Sequence, residues 1–181
     1  MFAITALSDL DGDVMSLCRV ACVLLLAAAT SACGDDPQIA ECQQNTNPKR
    51  QAEACTKVIR SNPQSAEAYN NRCFANNELQ QYDKSVPDCD MAIKLDPKNA
   101  SAFNNRGVAY ELRGEFDQAL KDYNKAVVLD PKFSVAYANR GDVYSKKGEK
   151  ERAIAEYKRA LAIEPSNGIA LDGLKRLGAQ P

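Results

Sequence analysis

Four prolines, Pro63, Pro97, Pro131 and Pro165, stand 34 residues apart along a chain of 181. The residues leading into them echo one another as VIRSNP, AIKLDP, AVVLDP and ALAIEP. The same period carries Tyr69, Phe103 and Tyr137, then Asn71, Asn105 and Asn139, then Arg72, Arg106 and Arg140. A fixed period of this size marks an array of like units, each a supersecondary element that cannot bury its apolar face alone. Whatever one unit does, its neighbours must repeat.

Within a unit the apolar residues recur at helical spacing rather than alternately. In the clearest unit Ala102, Phe103, Ala109 and Tyr110 form one stripe, and Gly114 stands where that helix should end. A second stripe runs through Phe116, Ala119, Leu120, Tyr123, Ala126, Val127 and Leu129. Asp130-Pro131 stops it, because proline disfavours helix at the residue before it. Each unit reads as a helix-turn-helix hairpin. Pro87 falls in one of the second helices and is expected near its first turn, where a missing N–H is tolerated.

The run Phe103-x2-Arg106-Gly107-x2-Tyr110, followed by Ala119-x3-Tyr123 and Pro131, resembles the tetratricopeptide repeat. Tyr137, Gly141, Tyr144, Ala153, Tyr157 and Pro165 match the same pattern. The unit from Ala66 to Asn99 keeps Tyr69, Ala92 and Pro97 but has Cys73 for Gly, Asn76 for Tyr and Cys89 for the aromatic. The resemblance implies an all-α chain: a right-handed superhelix, or α-solenoid, of stacked hairpins with a C-terminal capping helix. Three full units are placed at 66–99, 100–133 and 134–167, after a linker and degenerate hairpin at 33–65 and before a capping helix and tail at 168–181. Gly107, Ala119 and Ala126 are small enough for helices to approach, while Tyr110 and Tyr123 fill the wider gaps. Tyr123 and Tyr157 are assigned to the core.

Residues 1–32 read as a signal peptide. From Met15 the chain runs through Arg19, an apolar stretch from Val20 to Ala29 and then small residues, whereas residues 1–14 carry three aspartates and no cation. Met15 is therefore the expected start. Cleavage after Ala32 would leave Cys33 first, which resembles a bacterial lipoprotein whose leading cysteine is acylated; the same small residues also suit ordinary signal peptidase. Either route exports the chain, to the periplasm or to a lipid anchor on the envelope membrane. Loss of the leader moves the net charge from −1 to about +1, so bulk charge would not select the partner.

Export makes disulfides permissible. With Cys33 set aside, Cys42, Cys55, Cys73 and Cys89 remain and allow three connectivities. Residues equidistant from a hairpin turn lie level, which favours Cys42–Cys55 and Cys73–Cys89. Cys55 and Cys73 satisfy the same symmetry about Gln64, and four buried free thiols are the plain alternative.

The sequence contains no histidine, no nucleophile elbow and no glycine-rich phosphate loop. The expectation is no enzyme, no cofactor, no metal and no small-molecule substrate, and the absence of a basic run argues against nucleic acid. Stacked hairpins place the first helix of each unit along a concave surface that takes a protein or peptide. Asn70, Asn71, Phe74, Asn77 and Glu78 should line it, followed by Asn104, Asn105, Val108, Glu111 and Leu112, then Asn139, Asp142, Ser145 and Lys146. An asparagine amide both donates and accepts, so a column of them at Asn71, Asn105 and Asn139 could grip a peptide backbone. The plainer reading is that these amides are solvated or bond between repeats, and that each Arg pairs with a nearby carboxylate. The expected function is a non-catalytic interaction scaffold of the bacterial envelope. The alternative is an oligomerisation module without a groove ligand.

Overall fold

The computed structural model describes residues 37–43 and 47–181, so the leader and Cys33 lie outside the described residues. The described residues form helices α1 (Pro37–Gln43), α2 (Pro48–Ser61), α3 (Ala66–Glu78), α4 (Tyr82–Leu95), α5 (Ala100–Leu112), α6 (Phe116–Leu129), α7 (Ser134–Lys146), α8 (Lys150–Ile163) and α9 (Gly168–Arg176). No strand occurs among them.

The junctions follow from local chemistry. Before Pro63, Pro97 and Pro131 an Asx turn closes the chain: Asn62, Asp96 and Asp130 accept from the N–H two residues on. Ser65, Asn99 and Asn167 then cap the next helix by accepting from the third residue beyond. Inside the hairpins, Gly114 and Gly148 adopt φ +78°, and a six-to-one bond from Glu115 to Tyr110, or Glu149 to Tyr144, ends the first helix. In the first full repeat Gln80 occupies this left-handed position at φ 57°. A side chain there is disfavoured by about 1–2 kcal/mol. Gln80→Gly is expected to stabilise the chain by up to about 1 kcal/mol, read as a higher urea midpoint at unchanged slope.

Pro87 sits sixth in α4, a turn deeper than its sequence position suggested, because α4 begins at Tyr82. The ring is exposed, so the Asp83 carbonyl left without its helical donor can be served by water.

Consecutive helices pack antiparallel, and the first helices α3, α5, α7 and α9 also touch in succession, whereas α2, α4, α6 and α8 do not touch one another. First helices therefore lie on the inside of the curve and second helices on the outside. Each hairpin closes on one close contact. A Cβ built on Gly107 would stand 2.7 Å from the Tyr123 ring, and one on Gly141 would stand 2.8 Å from Tyr157. Both rings are fully buried, as their assignment to the core requires. Gly173 of α9 lets the last helix down onto the other side of Tyr157, sealing the stack.

In the first repeat Cys73 and Cys89 stand where Gly107 and Tyr123 stand in the next. The structure sets them side by side with Cα atoms 5.4 Å apart. Cys55, one period before Cys89, meets Cys42 in the same way at 4.7 Å. The four cysteines are buried.

Candidate binding surface of the first helices

The recurring Asn-Arg pair separates into two devices. Each arginine turns outward, between its own second helix and the preceding one. Arg72 donates to Asp88 at 2.8 and 2.6 Å and to Thr56 at 3.1 Å. Arg106 donates to Asp122 at 2.8 and 2.7 Å and to Asp90 at 2.6 Å. Arg140 donates to Glu156 through both Nε and a terminal nitrogen, and to Asn124 at 2.8 Å. The partners lie 16 residues ahead and 16 behind in every repeat. Each guanidinium also lies 5.3–5.7 Å from the ring three residues before it, Tyr69, Phe103 or Tyr137. One arginine thus staples three helices, and its partner carboxylates Asp88, Asp122 and Glu156 are buried. Asp122 and Asp90 hold the Arg106 guanidinium more firmly protonated than usual, against the opposing cost of burial.

The asparagines turn inward and bond between repeats. Asn105 Nδ2 donates to Asn70 Oδ1 at 3.0 Å, and Asn139 Nδ2 donates to Asn104 Oδ1 at 3.1 Å. Asn71 faces the N-terminal hairpin beside Ile39, Cys42 and Val58, and has no hydrogen-bond partner among the described residues. Asn77 is buried and committed, donating to the Asn105 carbonyl at 2.7 Å while accepting from Ser85. Phe74 and Val108 are half-buried on the same helices.

Nearer the helix ends the rungs become ionic. Lys146 reaches Glu111 at 2.8 Å from the first helix of the next repeat, and Arg176 reaches Asp142 at 2.6 Å from α9. Glu111 and Asp142 also accept from the core phenols Tyr123 and Tyr157 at 2.6 and 2.7 Å. Position alone does not reveal this double duty. The signal available in the sequence was an acid about one period before a cation.

Burial, reinforced by Glu111, holds the Tyr123 hydroxyl well above the ordinary phenol range, and burial with Asp142 does the same for Tyr157. Above about pH 10 an unfolded chain releases these protons while the folded one keeps them. Stability is therefore complete below that pH and falls as pH rises beyond it. Spectrophotometric titration of tyrosinate should show two of the chain's phenols ionising only as the helical signal is lost.

Among the described residues no cluster of His, Cys, Asp and Glu could hold a metal, and no helix is long and apolar enough to cross a membrane.

A curved stack of antiparallel hairpins, stapled outside by arginines and stitched inside by amide rungs, is a helical-repeat scaffold. The chain belongs to the tetratricopeptide repeat family: the family model matches residues 66–99, 100–133 and 134–167. Proteins of this family mediate protein–protein interactions, and some bind peptides. The chain is similar to the tetratricopeptide domain of Arabidopsis OM64, with 32% identity over 63% of this chain and 94% of that one, at a TM-score of 0.61. It is also similar to the first such domain of Spaghetti (RPAP3) bound to the HSP90 peptide SRMEEVD, at 28% identity, 64% and 91% coverage and a TM-score of 0.60. The thermophilic protein TTC0263 of Thermus thermophilus shares the fold at a TM-score of 0.67, with 22% identity over 72% and 75% of the two chains. No curated protein matches the chain significantly.

Proposed function

We propose that this chain is an exported, non-catalytic adaptor of the bacterial cell envelope that holds an extended segment of a partner protein along its first helices. The carrying observation is the composition of the amide rungs. Each Asn–Asn bond uses one Nδ2 donor and one Oδ1 acceptor, leaving the Nδ2 of Asn70 and Asn104 and the Oδ1 of Asn105 and Asn139 without protein partners among the described residues. Asn104, Asn105 and Asn139 are largely buried, yet none of these four amide atoms is completely sealed, in contrast to Gln51 Oε1, the one fully buried, unpartnered side-chain polar atom among the described residues. A donor and an acceptor recur at the repeat spacing, suited to the alternating C=O and N–H of an extended chain. The cations beyond them, Lys146 and Arg176, are already paired with Glu111 and Asp142, so the groove has little call for a charged ligand. The RPAP3 domain bound to its peptide supports a peptide-holding reading.

Export agrees with the leader-like residues 1–32, and acylation of Cys33 would tether the scaffold to the membrane. In that compartment the two buried cysteine pairs are oxidised, Cys42 to Cys55 and Cys73 to Cys89.

The test is affinity capture from envelope extracts with the native chain and with Asn71, Asn105 and Asn139 changed together to Ala. A partner retained by the native chain and lost at least tenfold by the variant, at unchanged helical content, is expected. Equal capture by both would end the ladder reading. Concentration-dependent self-association with no captured partner would favour an assembly module.

A further inference from the structure

On the outer side of the stack a cleft of about 490 Å³ opens between α2 and α4, with α3 as its floor. Lys49, Thr56, Arg72, Asn76, Leu79 and Lys84 are among its lining residues. The repeat period shows why it is open here. In the next two repeats the position of Asn76 is held by Tyr110 and Tyr144. Tyr110 lies 6.0 Å from the Arg106 guanidinium, and Tyr144 lies 5.6 Å from Arg152. Asn76 instead withdraws its short side chain onto Asp88 at 3.1 Å, leaving Arg72 with a ring only on its Tyr69 side.

A second substitution opens the cleft further. The corresponding places in the later repeats are crossed by ion pairs, Arg113 to Asp83 at 3.4 Å and Lys147 to Asp117 at 2.7 Å. One period earlier these positions are Leu79 and Lys49. Leu79 offers apolar floor where its counterparts offer a cation. Lys49 is a cation where its counterparts are carboxylates, and it has no partner among the described residues. Relative to the later repeats the cleft lacks the aromatic ring and has a cation, Lys49, in place of the carboxylate. Two carboxylates also line it: Asp88, already held by Arg72 and Asn76, and Glu53, one turn along α2 from Lys49. Lys49, Arg72 and Lys84 leave it with one net positive charge.

We propose that this cleft is a second binding site, separate from the first-helix surface, for an aromatic residue that lies next to a carboxylate in a partner polypeptide. The ring enters over Leu79 and Asn76 against the open face of Arg72, taking the volume that Tyr110 fills in the next repeat. The neighbouring carboxylate pairs with Lys49, and Lys84 on the opposite wall adds a second cation. Residues 33–36 and 44–46 contain no aromatic, so neither of these segments supplies such a residue.

The probe is N-acetyl-tyrosine, which carries both ring and carboxylate, titrated into the 15N-labelled full chain and followed by NMR. Saturable shifts are expected at Arg72 Nε, the Asn76 side-chain amide and the amides of Thr56 and Leu79. N-acetyl-tyrosinamide should bind several-fold more weakly, and N-acetyl-aspartate should give no saturable shift there. Asn76→Tyr supplies the ring from within and should weaken binding at least tenfold. Ala52→Leu, which fills the cleft from α2 with a good helix former, repeats that test should the tyrosine variant not fold. Lys49→Glu should erase the preference for tyrosine over its amide. Absence of saturable shifts, equal shifts with N-acetyl-aspartate, or undiminished binding by the cleft-filling variants would overturn the proposal. Loss of partner capture by the asparagine variants leaves these readouts unaffected, so the two surfaces are tested independently.

Discussion

Arg106→Ala is expected to cost about 3–5 kcal/mol, because it strands a buried carboxylate. Asp122 has a side chain only 7% exposed, and Arg106 supplies both of its charged hydrogen bonds. Asp90, by contrast, is about half exposed and can return to water when its partner goes. The stacking of the guanidinium on Phe103 and Tyr110 is lost as well. A domain of this size is stable by about 5–15 kcal/mol, so the variant should sit near the edge of folding at ambient temperature. Urea melts monitored by helical circular dichroism measure it. Arg106→Leu combined with Asp122→Leu removes the charge and its partner together and should recover most of the loss, since a buried pair can be exchanged for apolar side chains. A cost below about 1 kcal/mol for Arg106→Ala would show that the bidentate pair is a surface-type interaction and not the staple between hairpins.

The period made the hairpins, their turns and the buried Tyr123 and Tyr157 legible in the sequence, because helix periodicity and a Gly or Pro at a fixed offset are local signals. The Arg–carboxylate pairing was legible as a type of contact but not as specific partners. Its reach of 16 residues forward and back depends on how far the second helices splay, which no local rule supplies. The same holds for the rungs: Asn70 to Asn105 spans 35 residues, one more than the period, since bonded neighbours point toward each other across adjacent first helices. Asn77 reads as a groove residue from helical phase alone, yet Ser85, a hydroxyl where later repeats have Ala119 and Ala153, draws it into the interior. Pro87 lies in the second turn of α4 and not the first, because that helix starts at Tyr82, one period before Phe116. The outer cleft was half visible. Asn76 for tyrosine is a departure anyone can see, but the ion pairs that close the later repeats had to be located before the absence of one meant anything.

The cysteines give the second large effect. Cys73 and Cys89 replace a contact that the next two repeats make with Gly and Tyr, so the first repeat loses the ring that fills its hairpin. A covalent link between helices can do the same positional work without that volume. For residues 16 apart, a disulfide closing the loop would remove unfolded-state freedom equivalent to about 3 kcal/mol, and one between Cys42 and Cys55, 13 residues apart, would contribute comparably. Reduction of the native chain is therefore expected to lower stability by up to about 5 kcal/mol, and to loosen residues 37–99 before the later repeats. Hydrogen exchange with and without reductant would show that gradient. Cys73→Gly combined with Cys89→Tyr restores the pattern of the later repeats. That variant should fold with its first full repeat indifferent to reductant, leaving only the Cys42–Cys55 contribution to be lost. Free-thiol alkylation of the native protein supplies the decisive count: four reactive cysteines among Cys42, Cys55, Cys73 and Cys89 would show that the pairs are packed thiols. The reductant effect would then have to be absent, because without a bond to break the first repeat has nothing to lose.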